Sequence, residues 1–282
     1  MGSSLKALRH AFRAFKHRRR IARALEILEQ PVPEAAPHGM DTPLVVSLTS
    51  YRPRFDHLAL TLRCLTQQSV RPDQIILWIS AEDMPHLPPN VLALQGDGIT
   101  IRETEDMLSF KKIIPALRDY PDATIVTADD DVFYTRDWLG KLVDGHAVSG
   151  AKVVCWRAHE IRYDADGTLL PYTQWHTNID GPHQSKLLFP TGVSGVLYRP
   201  DAFDDRVLDY DLAKTLCPQG DDIWLYWMQR MAGTTAYRLP GHTRVLEWEL
   251  EPTVSLRQDN LGKGGNDTQI KKMINRFGIP TN

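Results

Sequence analysis

Two kinds of hydrophobic pattern divide the chain. Leu5, Leu8, Phe12 and Phe15 recur at three- and four-residue spacing with basic residues between them, which predicts an amphipathic helix within residues 1–30. Beyond residue 42 the apolar residues come instead in short continuous runs: Leu44 to Leu48, Gln74 to Ser80, Ile99 to Ile101, Ala123 to Ala128, Lys152 to Trp156, Val196 to Tyr198 and Thr235 to Leu239. Such runs are too short for helices and rich in β-branched residues. They predict strands buried on both faces, and so a mostly parallel sheet flanked by helices. Helical spacing returns between them, with Leu58, Leu62 and Leu65 on one face, then Leu139, Leu142 and Val143 behind a Thr135 cap. An apolar helix is predicted over 223–231. A last one carries Ile270, Met273, Ile274 and Phe277, with Asp267 as its cap and Gly278 as its stop. Strand, helix and strand from 44 to 80 form a βαβ unit, which crosses over right-handed. The fold class is α/β.

Pro31, Pro33 and Pro37 with Gly39 mark 31–41 as a linker. The predicted organisation is a basic helix over 1–30, that linker, and one domain over 42–282. No internal repeat is present.

Composition adds one asymmetry. Residues 1–30 hold eight of the 33 basic side chains but only two of the 35 acidic ones, leaving 25 basic against 33 acidic in the rest. An acidic body argues against general nucleic-acid binding. The basic helix suits an anionic membrane surface, a partner subunit, or solvent. Three scattered cysteines suit neither a disulfide framework nor a zinc site and fit a reducing compartment. No apolar run is long enough to span a bilayer. The expected location is cytoplasmic, or peripheral on the inner face of the membrane.

The chemistry concentrates where the run Ala123 to Ala128 ends in Asp129, Asp130 and Asp131. Ligands of open α/β sheets bind beyond the carboxyl ends of the strands. Three acids there repel one another unless a cation neutralises them. Mg²⁺ or Mn²⁺ would do so with one or two carboxylates, water and substrate phosphates, and the other reading is a solvated acidic turn. Lys111 and Lys112 open a short helix, where they oppose the helix dipole, so a nearby phosphate or plain solvation accounts for them. Tyr172 and Trp175 lie in a long irregular stretch and serve equally for core packing or for stacking on a sugar. No glycine-rich GxGxxG follows the first strand, which disfavours a dinucleotide fold.

The acidic stretch resembles the DxD motif of GT-A glycosyltransferases, with Asp129 and Asp131 as the pair and Asp130 between them. Further matches follow in the same order over roughly residues 43–245 and look most like bacterial enzymes of surface-polysaccharide pathways. The resemblance implies a metal held by Asp129 and Asp131, with His242 as a further ligand. It implies nucleotide-sugar contacts at Thr49, Tyr51 and Glu82 after the first two strands, a phosphate contact at Lys112, and donor contacts at Asp129 and Asp130. The loop Thr191 to Gly195 resembles the family's glycine loop, placing Gly192 and Gly195 near donor. Asp221 and Asp222 resemble the paired acids of inverting members, with Asp222 as general base; Asp221 departs from the usual Glu. Arg157, His159, Tyr172 and Trp175 are the expected acceptor contacts. The Gly- and Asn-rich stretch 260–267 looks like a loop that closes over donor. The implied activity is metal-dependent transfer of a sugar from a nucleotide-sugar to a glycan or lipid-linked acceptor. A sugar nucleotidyltransferase and a non-catalytic glycan-binding module are the alternatives.

Overall fold

A computed structural model describes residues 2–241, 244–250 and 265–280. Among the described residues an eight-stranded mixed sheet forms the centre. Its strands, in chain order, are β1 (Leu44–Thr49), β2 (Gln74–Ser80), β3 (Ile99–Thr104), β4 (Thr124–Ala128), β5 (Val153–Cys155), β7 (Gly181–Ser185), β9 (Val196–Tyr198) and β10 (Ala236–Gly241). A separate antiparallel pair joins β6 (Ala158–Glu160) to β8 (Leu188–Pro190). The spatial order is β3-β2-β1-β4-β9-β5-β10-β7. β1 to β4 run parallel, and β10 is parallel to β5. β9 enters antiparallel between β4 and β5, and β7 closes the edge antiparallel.

The continuous apolar runs have the expected cause, since helices cover both faces. Leu44, Val46 and Leu48 of β1 face α2 (Phe55–Thr66) and α4 (Trp138–Ser149), together with Ala24 and Leu28 from α1 (Gly2–Leu28). Val45 points the other way, toward α3 (Ile114–Asp119), α5 (Tyr210–Leu216), α6 (Asp221–Met231) and α7 (Gly265–Phe277). Alternation along a strand sends neighbouring side chains to opposite faces, so one strand feeds two cores.

Strand order reverses between β1 and β4. The chain lays β2 and β3 to one side of β1, then crosses to start the other side. Ligands of open α/β sheets bind in the crevice that such a reversal opens at the carboxyl ends.

Several local expectations are corrected. The third strand extends to Thr104. Thr135 does not cap α4; its hydroxyl donates to Asp137. Asp267 lies inside the first turn of α7, and its Oδ1 accepts from the Tyr172 N–H at 2.8 Å. Asp267 thus serves a loop distant in the chain, which sequence spacing does not reveal. All three cysteines are free and buried. No described helix is long and apolar enough to cross a membrane.

Candidate active site

The crevice is built from the ends of β1 and β4, the segment before α3, the turn before β9, and the first turn of α6. Ser47 of β1 is fully buried. Its hydroxyl donates to the Lys112 carbonyl at 2.7 Å and accepts from Trp78 Nε1 at 2.9 Å. The central strand therefore fixes the backbone that carries Lys112. Lys112 is itself buried, with Nζ 2.9 Å from Asp129 Oδ1 and 3.2 Å from Asp221 Oδ2. Burial alone favours the neutral amine, but Asp129, Asp221 and Asp222 outweigh it and hold the lysine well above its ordinary value.

Asp222 lies beside this pair. Its Oδ1 accepts the Gly192 N–H at 2.9 Å. Burial and the neighbouring Asp221 push its carboxyl up to about 7, against the pull of Lys112. A Cβ on Gly192 would stand 2.9 Å from Lys112 Nζ and 3.2 Å from Asp222 Oδ1, so only glycine lets the turn approach this closely. Gly195 has a different duty. Its φ is +93°, and a Cβ there would overlap the Trp138 ring. Trp138 Nε1 donates to the Ser194 carbonyl at 2.8 Å. Gly195 thus lets the turn pass close against Trp138. Gln269 of α7 braces the start of α6, its Oε1 accepting the Gln219 N–H at 3.0 Å.

Arg54 completes the acidic end of β4. Its Nη1 lies 3.0 Å from Asp130 Oδ1 and 2.9 Å from Asp131 Oδ2. Ser50 donates to the other Asp130 oxygen at 2.6 Å. Burial, Asp130 and Asp129 still raise the Asp131 carboxyl to about 7, with Arg54 opposing. The loop is pinned from outside by Trp248, whose N–H donates to the Asp131 carbonyl at 2.9 Å and whose Nε1 donates to Thr61 Oγ1 at 2.8 Å.

Five carboxylates, Asp129, Asp130, Asp131, Asp221 and Asp222, thus share two cations, Lys112 and Arg54. The buried Ser194 Oγ makes no hydrogen bond here, and Asp221 Oδ2 has only its ion pair with Lys112. The excess of carboxylates over cations asks for a ligand that brings positive charge. The hard oxygen donors suit Mg²⁺ or Mn²⁺. Asp129 gives one oxygen to Lys112, and Asp131 gives one to Arg54. Each keeps a second oxygen. No three His, Cys, Asp or Glu side chains among the described residues converge as a complete cage. Asp129 and Asp131 by themselves are two carboxylates, fewer than an all-protein metal site needs.

The remaining candidates separate. Thr49 donates to the Trp78 carbonyl at 2.7 Å, so its hydroxyl is engaged by the sheet. Tyr51 sits at the mouth, its ring under the Arg54 guanidinium at 5.9 Å. Glu82 is exposed, and the acid held at the end of β2 is its neighbour Asp83, bonded to Ser80 at 3.0 Å. Arg157 is beside the glycine turn, with Nη1 2.8 Å from Thr191 Oγ1. His159, Tyr172 and Trp175 are buried among one another and Phe189. Trp175 Nε1 donates to the Leu170 carbonyl and His159 Nδ1 accepts the Asn178 N–H. Burial, then the charge of Arg157, lowers His159 to about 4, so it is a neutral core histidine. Of the two readings of this aromatic stretch, the structure displays packing. His242 and residues 260–264 of the expected loop lie outside the described residues.

Arg54, Asp83 and Ser194 escaped sequence reasoning. Arg54 alone had a signal, an arginine just past the first strand.

No protein-family model matches the chain. No curated protein matches it either. Solved structures do. The mannosyltransferase PcManGT of Pyrobaculum calidifontis, solved with GDP-Man and Mn²⁺, is 19% identical over 52% of this chain and 44% of that one, with a TM-score of 0.33. TarS 1–349 of S. aureus in complex with UDP is 11% identical over 83% of this chain and 66% of that one, at 0.49. The 4-diphosphocytidyl-2C-methyl-D-erythritol synthase of Anaerococcus prevotii is 15% identical over 81% and 96%, at 0.44. The chain thus spans less than half of the mannosyltransferase and about two thirds of TarS 1–349.

Proposed function

We propose that the chain is a metal-dependent glycosyltransferase of the GT-A kind. It would move a sugar from a nucleotide-sugar to a hydroxyl of a glycan or lipid-linked acceptor, with inversion, in cell-surface polysaccharide synthesis. The observation that carries this reading is the convergence on Lys112, where Asp129 from the end of β4 meets Asp221 from the first turn of α6. Asp222, the next residue, is tied to the glycine turn.

A divalent cation held by Asp129 and Asp131 would supply positive charge to the leaving diphosphate. Lys112 adds a fixed ammonium beside that position in a buried setting, where charge is most effective. Asp222, poised near neutral pH, takes the acceptor proton as the new bond to the anomeric carbon forms. The bond from that carbon to the diphosphate breaks, and the diphosphate leaves with the electron pair. Base help of this type is worth about 10²–10⁴ in rate. Gly192 holds the base in place through its N–H. Tyr51 is the aromatic group at the mouth for the nucleotide, and Arg157 remains the contact for acceptor.

The nucleotidyltransferase alternative needs free positive charge after the first strand for a triphosphate. Arg54 is engaged with Asp130 and Asp131, and residues 49–54 hold no glycine to cradle a triphosphate, which favours the transferase.

Thermal stabilisation by nucleotide-sugars, with and without Mn²⁺, tests the reading, because a ligand of the native state raises the melting temperature. Metal-dependent stabilisation by one nucleotide class, lost in Asp131→Asn, is expected. Stabilisation by nucleoside triphosphate in preference to every nucleotide-sugar would overturn it.

A further inference from the structure

Helix α1 has two apolar stripes, and the fold uses one. Ala14, His17, Ile21, Ala24 and Leu28, at three- and four-residue steps, are shielded from solvent, as is Ile27 beside them. Ala24 and Leu28 are 2% and 3% exposed. The Leu28 carbonyl accepts from Arg63 and Gln67 of α2, both at 3.1 Å. His17 Nε2 is 3.4 Å from the carbonyl of Trp248, the residue that pins the Asp131 loop. This stripe fastens the helix to the domain.

The second stripe is Leu8, Phe12 and Phe15, which are 68%, 57% and 50% exposed. At about 100° per residue it lies about 180° from the first, pointing directly away from the domain. Arg9, Lys16, Arg18 and Arg19 border it, and the helix holds no acid before Glu26. Lys16 Nζ stands 4.3 Å from the Phe12 ring centre and Arg19 lies 5.9 Å from that of Phe15, so the cations border the aromatic faces.

We infer that this outer stripe docks the protein on an anionic lipid bilayer, lying in the interface rather than crossing it. Charge complementarity selects this occupant. A second copy meeting the stripe with its own would bring two rows of cations together without acids. An anionic bilayer offers hydrocarbon for Leu8, Phe12 and Phe15 and phosphate for the arginines on either side. The helix is too basic to span. The docking surface is independent of the chemistry in the crevice, although its inner stripe touches the segment that braces the acidic loop.

The test is co-sedimentation of the full chain with phosphatidylcholine vesicles, with and without phosphatidylglycerol. Binding is expected only to the anionic vesicles and should weaken as salt rises. The triple variant Leu8→Ser, Phe12→Ser, Phe15→Ser should lower vesicle affinity by about 100-fold or more, since burying one large apolar side chain is worth about ten-fold or more. All three side chains are exposed, so its melting temperature should match the parent. A second variant, Arg9→Gln with Lys16→Gln, should weaken the preference for anionic lipid. Equal binding by parent and triple variant would overturn the inference. So would a concentration-dependent dimer in light scattering that the triple variant abolishes while vesicles bind neither protein.

Discussion

The Gly192 N–H donates to Asp222 Oδ1 at 2.9 Å, joining residues thirty positions apart at the mouth of the central crevice. The contact exists because residue 192 lacks a side chain. A Cβ there would press on Lys112 Nζ. Gly192→Ala should therefore displace the ammonium, which ends a flexible side chain, more than it strains the backbone. Melting should change little, while transfer falls by about 10²-fold, the usual cost of misplacing a group by an ångström. Turnover equal to wild type would remove the close approach from the mechanism.

Asp222→Asn should keep donor-induced thermal stabilisation and lose about 10²–10⁴ in transfer rate. The wild-type rate should rise with pH through about 7, as the carboxyl ionises, and the residual rate of the variant should not. Stability runs the other way. The native carboxyl is raised above its ordinary 3.8, so the folded protein binds the extra proton between those values. That contribution is full below about 4 and is lost as pH rises through about 7. Thermal melts from pH 4 to 8 should show a smaller decline in the variant.

Arg54 balances two acids from one guanidinium. Arg54→Met leaves Asp130 and Asp131 facing each other in a buried setting, and the expected loss is about 3 kcal/mol in urea unfolding. Adding Asp131→Asn should recover part of it, because the two positions share one network. Strictly additive losses would show that the arginine acts elsewhere.

Trp175 packs against Tyr172 and Phe189, with its indole N–H satisfied inside the loop. Trp175→Ala should cost about 3–5 kcal/mol of stability. Trp175→Phe should leave the acceptor KM unchanged once folded protein is compared. A raised KM with unchanged stability would return the residue to the acceptor site.

What the sequence by itself determined was local. Unbroken runs such as Leu44 to Leu48 and Thr124 to Ala128 announced strands covered on both faces, because a half-exposed strand would alternate. The abrupt change from Ala128 to three acids marked the candidate functional end of the sheet, since carboxylates beyond a buried strand need a cation or water to receive their charge. The spacing of Leu8, Phe12 and Phe15 marked the helix. Tertiary structure decided which charges meet. Lys112, Asp129 and Asp221 are brought together by the sheet and by α6, and no spacing rule links them. It also decided that Arg54 turns back onto Asp130 and Asp131. Tyr172 and Trp175 could read as core or as ligand contacts, because an aromatic ring suits both. The fold supplies packing partners for both, Phe189 and His159. Periodicity is set by neighbours along the chain, whereas pairing of charges and rings is set by neighbours in space.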